Sequence, residues 1–230
     1  MKPIKQLLAL TIVITLCLTA TACSSENIFG VTNPTTPLES SDTADSSQSD
    51  SAPVSTEAYR NEYFNFKCVL PEEWYVLNAD EVDQVMGTVR DAIGEGDASD
   101  VIKKSLDDGT SIMDFYAVSG SGTQTINIVL GKVTLLQRFL SEEQLLEASI
   151  PLMSGGLENM GAKNITHTNE TVTILGKEHA ATFVSAEYQG VSLNERICLI
   201  LKGSYLSTIT ITDMAGDPTD DVFAYFQSIN

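Results

Sequence analysis

The chain predicts an α+β domain, built as a mainly antiparallel sheet of six to seven strands covered by helices. Three observations carry this. Four long runs between residues 165 and 212 are separated by two-residue turn signals, the pattern of an antiparallel meander. Two helical stretches with capping signals lie among the upstream strands. A capped, proline-led segment closes the chain. Strands in runs with helices interposed place the helices on the sheet, not between parallel strands.

The first residues form no part of that domain. Lys2 and Lys5 precede an apolar stretch from Leu7 to Leu18, and small residues follow up to Ala22. These are the three parts of a signal peptide, residues 1–22. The stretch is too short for a transmembrane helix, which needs roughly 20 residues. Small residues followed by Cys23 resemble the lipobox of bacterial lipoproteins, although Ala20 stands where leucine is usual. The resemblance implies that Cys23 becomes a lipidated N-terminus. It places the protein on the extracytoplasmic face of the cell membrane, in a bacterium that the family resemblance given below implies to be Gram-positive. Cys17 is a poor rival because Leu16 precedes it.

Residues 24–57 hold no Lys or Arg and six acids, with Ser, Thr and Pro making up most of the rest. So little apolar surface predicts a disordered tether from Cys23 to residue 57. Extended, its 34 residues reach roughly 110 Å. Residues 58–230 suffice for one domain with its own core. There 11 Lys and Arg face 25 Asp and Glu, a net charge of −14. Nucleic acid and bare anionic lipid are therefore not expected partners.

The domain opens on Phe64, Phe66, Cys68 and Leu70, whose alternation puts them on one face of a strand ended by Pro71. Asn78 with Glu81 makes a capping box. Val82, Val85, Met86, Val89 and Ile93 then recur at helical spacing, and Gly94 and Gly96 end that helix. A shorter helix follows around Val101 to Leu106. Strands are predicted over Ile112 to Val118 and Thr125 to Val133, joined by the Ser119–Gly122 loop, with Ile126, Ile128 and Leu130 facing one way. Ser141 with Gln144 caps another helix, which Pro151 is expected to kink or interrupt. Strands from Ile165 to Leu175, Glu178 to Tyr188, Val191 to Leu201 and Tyr205 to Thr212 turn at Gly176-Lys177, Gln189-Gly190 and Gly203-Ser204. A final helix is predicted from cap Asp217 and Pro218, burying Val222, Phe223, Phe226 and Ile229.

The opening Tyr63-Phe64-Asn65-Phe66, with Leu70-Pro71 and Trp74, resembles the start of the PsbP-like family. The order of later elements fits, down to Phe226 and Ser228-Ile229. The resemblance spans nearly all of residues 58–230 and implies an α/β/α layered domain. It also implies a binding or accessory subunit without a shared active site, so it carries over no functional residue.

Chemistry is sparse. With the turn at Gly176-Lys177, His179 faces Ile174 and His167 faces Ala186, and no ligand set surrounds either. No nucleophile elbow occurs. Asp213, Asp217, Asp220 and Asp221 offer oxygens for calcium, but Asp217 is used as a cap and the spacing is not that of an EF-hand. Trp74 is expected to plug the core. Cys68 and Cys198 form either a disulfide or two buried free thiols. No cofactor, metal or catalytic residue is expected. The function class is a membrane-held binding or accessory module for a protein or envelope component, with an envelope hydrolase as the alternative.

Overall fold

Tight turns set the architecture. The structure, a computed structural model, describes residues 56–92, 97–216 and 220–229. Seven strands form one antiparallel sheet: β3 (Tyr75–Val76), β4 (Ser111–Val118), β5 (Gln124–Lys132), β6 (Lys163–Ile174), β7 (Lys177–Tyr188), β8 (Val191–Lys202) and β9 (Tyr205–Asp213). Their order across the sheet is β3-β4-β5-β9-β8-β7-β6. A second, three-stranded sheet pairs β2 (Phe66–Leu70) with β1 (Thr56–Asn61) on one side and β10 (Phe226–Ser228) on the other. The predicted boundary at residue 58 therefore falls inside β1, whose Thr56 already pairs with Leu70.

The turns follow their residues. Gln189 (φ 51°) and Gly190 (φ 80°) both take positive φ, as a type I′ hairpin turn requires. The β6–β7 turn sits one residue earlier than predicted, at Leu175 (φ 56°) and Gly176 (φ 74°). Glycine fills the second turn position, so Ile174 pairs with Lys177. The pairing moves by two residues, and His167 faces Val184 while His179 faces Val172.

Among the described residues, three α-helices cover one face of the large sheet: α1 (Ala79–Ala92), α2 (Asp97–Asp107) and α3 (Glu142–Asn159). Both predicted capping boxes form. Asn78 Oδ1 accepts from the Glu81 amide at 3.1 Å while Glu81 Oε2 accepts from the Asn78 amide at 2.9 Å. Ser141 and Gln144 exchange the same pair of bonds at the start of α3. That helix runs on through Pro151, where the sequence predicts a kink or interruption. Pro151 and Glu147 are both exposed, so the carbonyl that proline leaves without an amide is open to water. Ile93, Gly94 and Gly96 lie outside the described residues.

Under the helices, Leu145, Leu146, Met153 and Leu157 of α3 meet Val129, Val184, Ile197 and Leu199 of the sheet, joined by Met86, Val89 and Ile102. The opposite face packs on the small sheet. There Ile126, Ile128, Cys198, Ile209 and Ile211 meet Phe66, Cys68 and Phe226. Phe64 is buried as predicted, but in the turn before β2 and not in the strand.

The closing segment departs most from expectation. Asp217 and Pro218 lie outside the described residues, and Asp220–Tyr225 forms a 3₁₀ turn instead of an α-helix. Phe226–Ser228 then becomes β10, pairing Phe226 with Cys68. Val222, Phe223 and Phe226 are buried as expected. A strand succeeds here because β2 has a free edge, and tertiary pairing overrides a weak local helix preference. The second cover of the large sheet is consequently a strand layer.

Candidate functional site

The large sheet forks at one end. Strands β7 and β8 pair from Tyr188 and Val191 to Ala181 and Cys198. Beyond that point β7 stays with β6 to Lys177, and β8 stays with β9 to Lys202. Glu142, the first residue of α3, reaches into the gap. Its Oε1 accepts from the Leu201 amide at 2.8 Å and its Oε2 from the Ala180 amide at 3.4 Å. His179 Nδ1 lies 3.0 Å from Oε2. One carboxylate thereby satisfies backbone amides of both splayed strands, which buried peptide groups require.

A hollow lies on each side of the fork, and His179 borders both. One, about 440 Å³, is lined by Glu142, Glu143, Asn169, Glu170, Glu178 and His179 among others. The other, about 510 Å³, is lined by Glu62, Phe64, Lys177, His179 and Lys202 among others. The first is acidic, although Glu170 is held by Arg196 at 2.5 Å. Nucleophilic chemistry has little to work with there. The nearby Ser141 hydroxyl is occupied as the helix cap, and the Glu142 oxygens are occupied by amides. Among the described residues, no group of three or more His, Cys, Asp or Glu is placed to hold a metal ion.

The segment joining β5 to α3 is the most apolar exposed feature. Leu135, Leu136 and Phe139 are 68%, 73% and 81% exposed. The loop is nevertheless internally bonded. Gln137 Oε1 accepts from the Thr134 amide at 2.8 Å and from its hydroxyl at 2.6 Å. The Arg138, Phe139 and Leu140 amides donate to Thr134, Leu136 and Gln137 carbonyls. Beside it, the Val133 amide donates to the Ser204 carbonyl, and Lys132 pairs with Tyr205. Tyr205 packs edge-on to Tyr63, ring centres 5.3 Å apart, and the Tyr63 hydroxyl donates to the Lys202 carbonyl.

A third feature is buried. Across β5, β9 and β8, Thr125, Thr212 and Glu195 form one register row on the helix-covered face, next to Asn127 and Thr210. All are fully buried. Thr212 donates its hydroxyl to Glu195 Oε1 at 3.2 Å. Burial pushes the Glu195 carboxyl well above the usual carboxylate range, against the smaller lowering effect of that bond.

Of the residues singled out in the sequence, Cys23 lies outside the described residues. Cys68 and Cys198, the candidate disulfide pair, are both free thiols, buried in the layer between the two sheets. Burial pushes the Cys68 thiol up to about 12 and holds Cys198 well above its ordinary value, which makes both inert. His167 is exposed. Asp213 is fixed by a turn, accepting from the Ala215 and Gly216 amides at 2.7 and 2.9 Å and from Gln124 at 2.8 Å. Trp74 is partly buried, edge-on to Tyr225. Glu142 and the loop were not singled out. The loop's signal was present, as four apolar residues, Leu135, Leu136, Phe139 and Leu140, in a linking segment. The Glu142 contacts had none.

No protein-family model matches the chain, and no curated protein matches it. Several solved structures are similar to it, two of them as follows. One, from Bacteroides thetaiotaomicron VPI-5482, is 12% identical over 72% of this chain and 46% of that one, at a TM-score of 0.40. The chain thus spans less than half of that protein. The other is LpqN, described as involved in cell envelope biogenesis of Mycobacterium tuberculosis. It is 11% identical over 64% of this chain and 68% of its own, at a TM-score of 0.36. At such scores neither likeness carries an argument about what this chain does.

Proposed function

We propose that the chain is a lipoprotein anchored through Cys23 on the extracytoplasmic face of a Gram-positive membrane, with a domain that is a non-catalytic binding or accessory module for a protein or envelope component. The anchor is supported by Lys2, Lys5, the apolar stretch and the small residues before Cys23. The PsbP-like part of the reading is supported by the Tyr63–Phe66 opening with Leu70-Pro71 and Trp74. One observation carries the binding role: Leu135, Leu136 and Phe139 stand exposed on an internally bonded loop. Three such groups within five residues are what an interaction site would present.

A specific observation favours the envelope hydrolase as a second reading. His179 sits beside a carboxylate in a groove, the arrangement of a general base with its orienting group. Against it, Glu142 already serves two backbone amides.

Both readings meet in one experiment. Cells lacking the protein receive wild type, the Leu135→Ser/Leu136→Ser variant, or the His167→Ala/His179→Ala variant, each first checked to melt like wild type. The binding reading expects the loop variant alone to fail in restoring the deletion phenotype. Failure of the histidine variant alone promotes the hydrolase.

A further inference from the structure

We propose that the loop between β5 and α3 seats in the headgroup and acyl boundary of a lipid bilayer, giving the domain a membrane contact of its own. This deepens the reading of that loop as the docking end and rests on it.

Four features lead to lipid as the occupant. The loop presents two leucines and a phenylalanine, each more than two-thirds exposed, in the stretch Leu135–Phe139. Its Thr134, Arg138, Phe139 and Leu140 amides have partners inside the loop, which lowers the cost of bringing its backbone toward an apolar phase. Two tyrosines stand beside it, Tyr63 and Tyr205, the residue type that settles at a membrane–water interface. Finally, four cations lie at this end, Lys132 and Arg138 on or beside the loop and Lys202 and Lys177 around the neighbouring hollow, interspersed with Glu62 of that hollow and with Glu142 and Glu143 at the start of α3. The domain holds only 11 Lys and Arg against 25 acids. Its net charge keeps the body off an anionic surface, while the cations at this end meet anionic headgroups.

A second copy of the chain is a poorer occupant. A protruding phenylalanine and leucine pair needs an apolar receptor, whereas the first hollow carries four Glu with Asn169 and His179, and the second sets Glu62, Lys177, His179 and Lys202 among Phe64, Leu175, Ile200 and Leu201. The membrane is also within reach. Fully stretched, the residues between Cys23 and β1 would reach roughly 110 Å, so a chain held at Cys23 has the length to turn its loop end toward the same bilayer.

The test places a fluorophore at the tip. The full-length Phe139→Trp chain is reconstituted into phosphatidylcholine–phosphatidylglycerol vesicles, with wild type reporting the background of Trp74. The expected result is a blue-shifted emission from the introduced tryptophan that is lost when brominated lipids replace ordinary ones and is shielded from aqueous iodide. Adding Leu135→Ser and Leu136→Ser should abolish both the blue shift and the bromine quenching. Shielding from iodide without bromine quenching means that protein covers the loop, and it overturns the proposal. Free access of iodide with no bromine effect leaves the loop in water and overturns it equally. If bromine quenching is seen while cells carrying the two serine substitutions behave as wild type, the membrane contact stands and the functional reading falls.

Discussion

Glu142 and Leu201 lie 59 residues apart, yet the carboxylate of the first accepts the amide of the second at 2.8 Å. A side chain stands where a neighbouring strand would otherwise pair, so the helix layer and the forked sheet are fastened at one point. Glu142→Ala should cost about 1.5–3 kcal/mol, the range for a hydrogen bond to a charged group. Amide exchange at Ala180 and Leu201 should accelerate more than elsewhere. Uniform acceleration across the sheet would mean that Glu142 is no local fastener.

Glu195 should make stability fall as pH rises. Its folded-state pKa is raised, so between about 4.3, the unfolded value, and that raised value the folded chain holds a proton that the unfolded chain has lost. Each pH unit in that window then removes about 1.4 kcal/mol. The contribution is fully favourable below the unfolded pKa. Glu195→Gln keeps an acceptor for Thr212 and removes the titration, so its denaturation midpoints should lose this slope and exceed those of wild type at neutral pH. Parallel pH profiles for the two proteins would sink the idea.

Strand β1 belongs to the folded unit. Tyr59 packs on Phe66 and Phe115, and its hydroxyl donates to Asp114. A chain starting at Thr56 should melt like one carrying the whole upstream segment. A chain starting at Glu62 should lose the Tyr59 packing, roughly 3 kcal/mol by the scale of aromatic truncations. Thermal melts of the three chains decide this, and equal midpoints for the last two would show β1 to be dispensable.

Gly203 has φ +61°, and a Cβ there would stand 2.7 Å from the Tyr63 hydroxyl. Gly203→Ala should therefore destabilise by more than about 1 kcal/mol, through backbone strain and collision together. Tyr63→Phe removes the colliding oxygen, so Gly203→Ala should cost less in that background. A double-mutant cycle with no coupling would contradict this contact.

Replacing Cys23 by Ala should move the protein from the detergent phase to the aqueous phase in a phase separation. Two acyl chains hold a protein on a membrane where one gives only marginal binding. Wild type that already partitions like the variant would refute the anchor.

Local signals proved readable where they were complete within a few residues. The capping boxes at Asn78 and Ser141 and the turns at Gln189-Gly190 and Gly203-Ser204 each need only adjacent side chains and φ values. The β6–β7 turn shows the margin of such reading, since glycine serves either position and only the pairing of the long strands selects Leu175-Gly176. Long-range pairing was illegible. Asp220–Tyr225 reads as helix from its flanks, but the fate of Phe226 depends on an edge 158 residues upstream at Cys68. The same holds for Glu142, whose role is fixed by two strands that begin 35 and 49 residues later.

Thr56 stands at one end of β1 and the Glu62–Asn65 turn at the other, on the side of the hollow lined by Lys177 and Lys202. Ladder hydrogen bonds run perpendicular to the strands. If the loop end is gripped while the chain is drawn from Thr56, tension travels along β1 and strains the rungs joining it to β2 together, not one after another. The attachment is a shear joint, suited to a domain that resists being pulled.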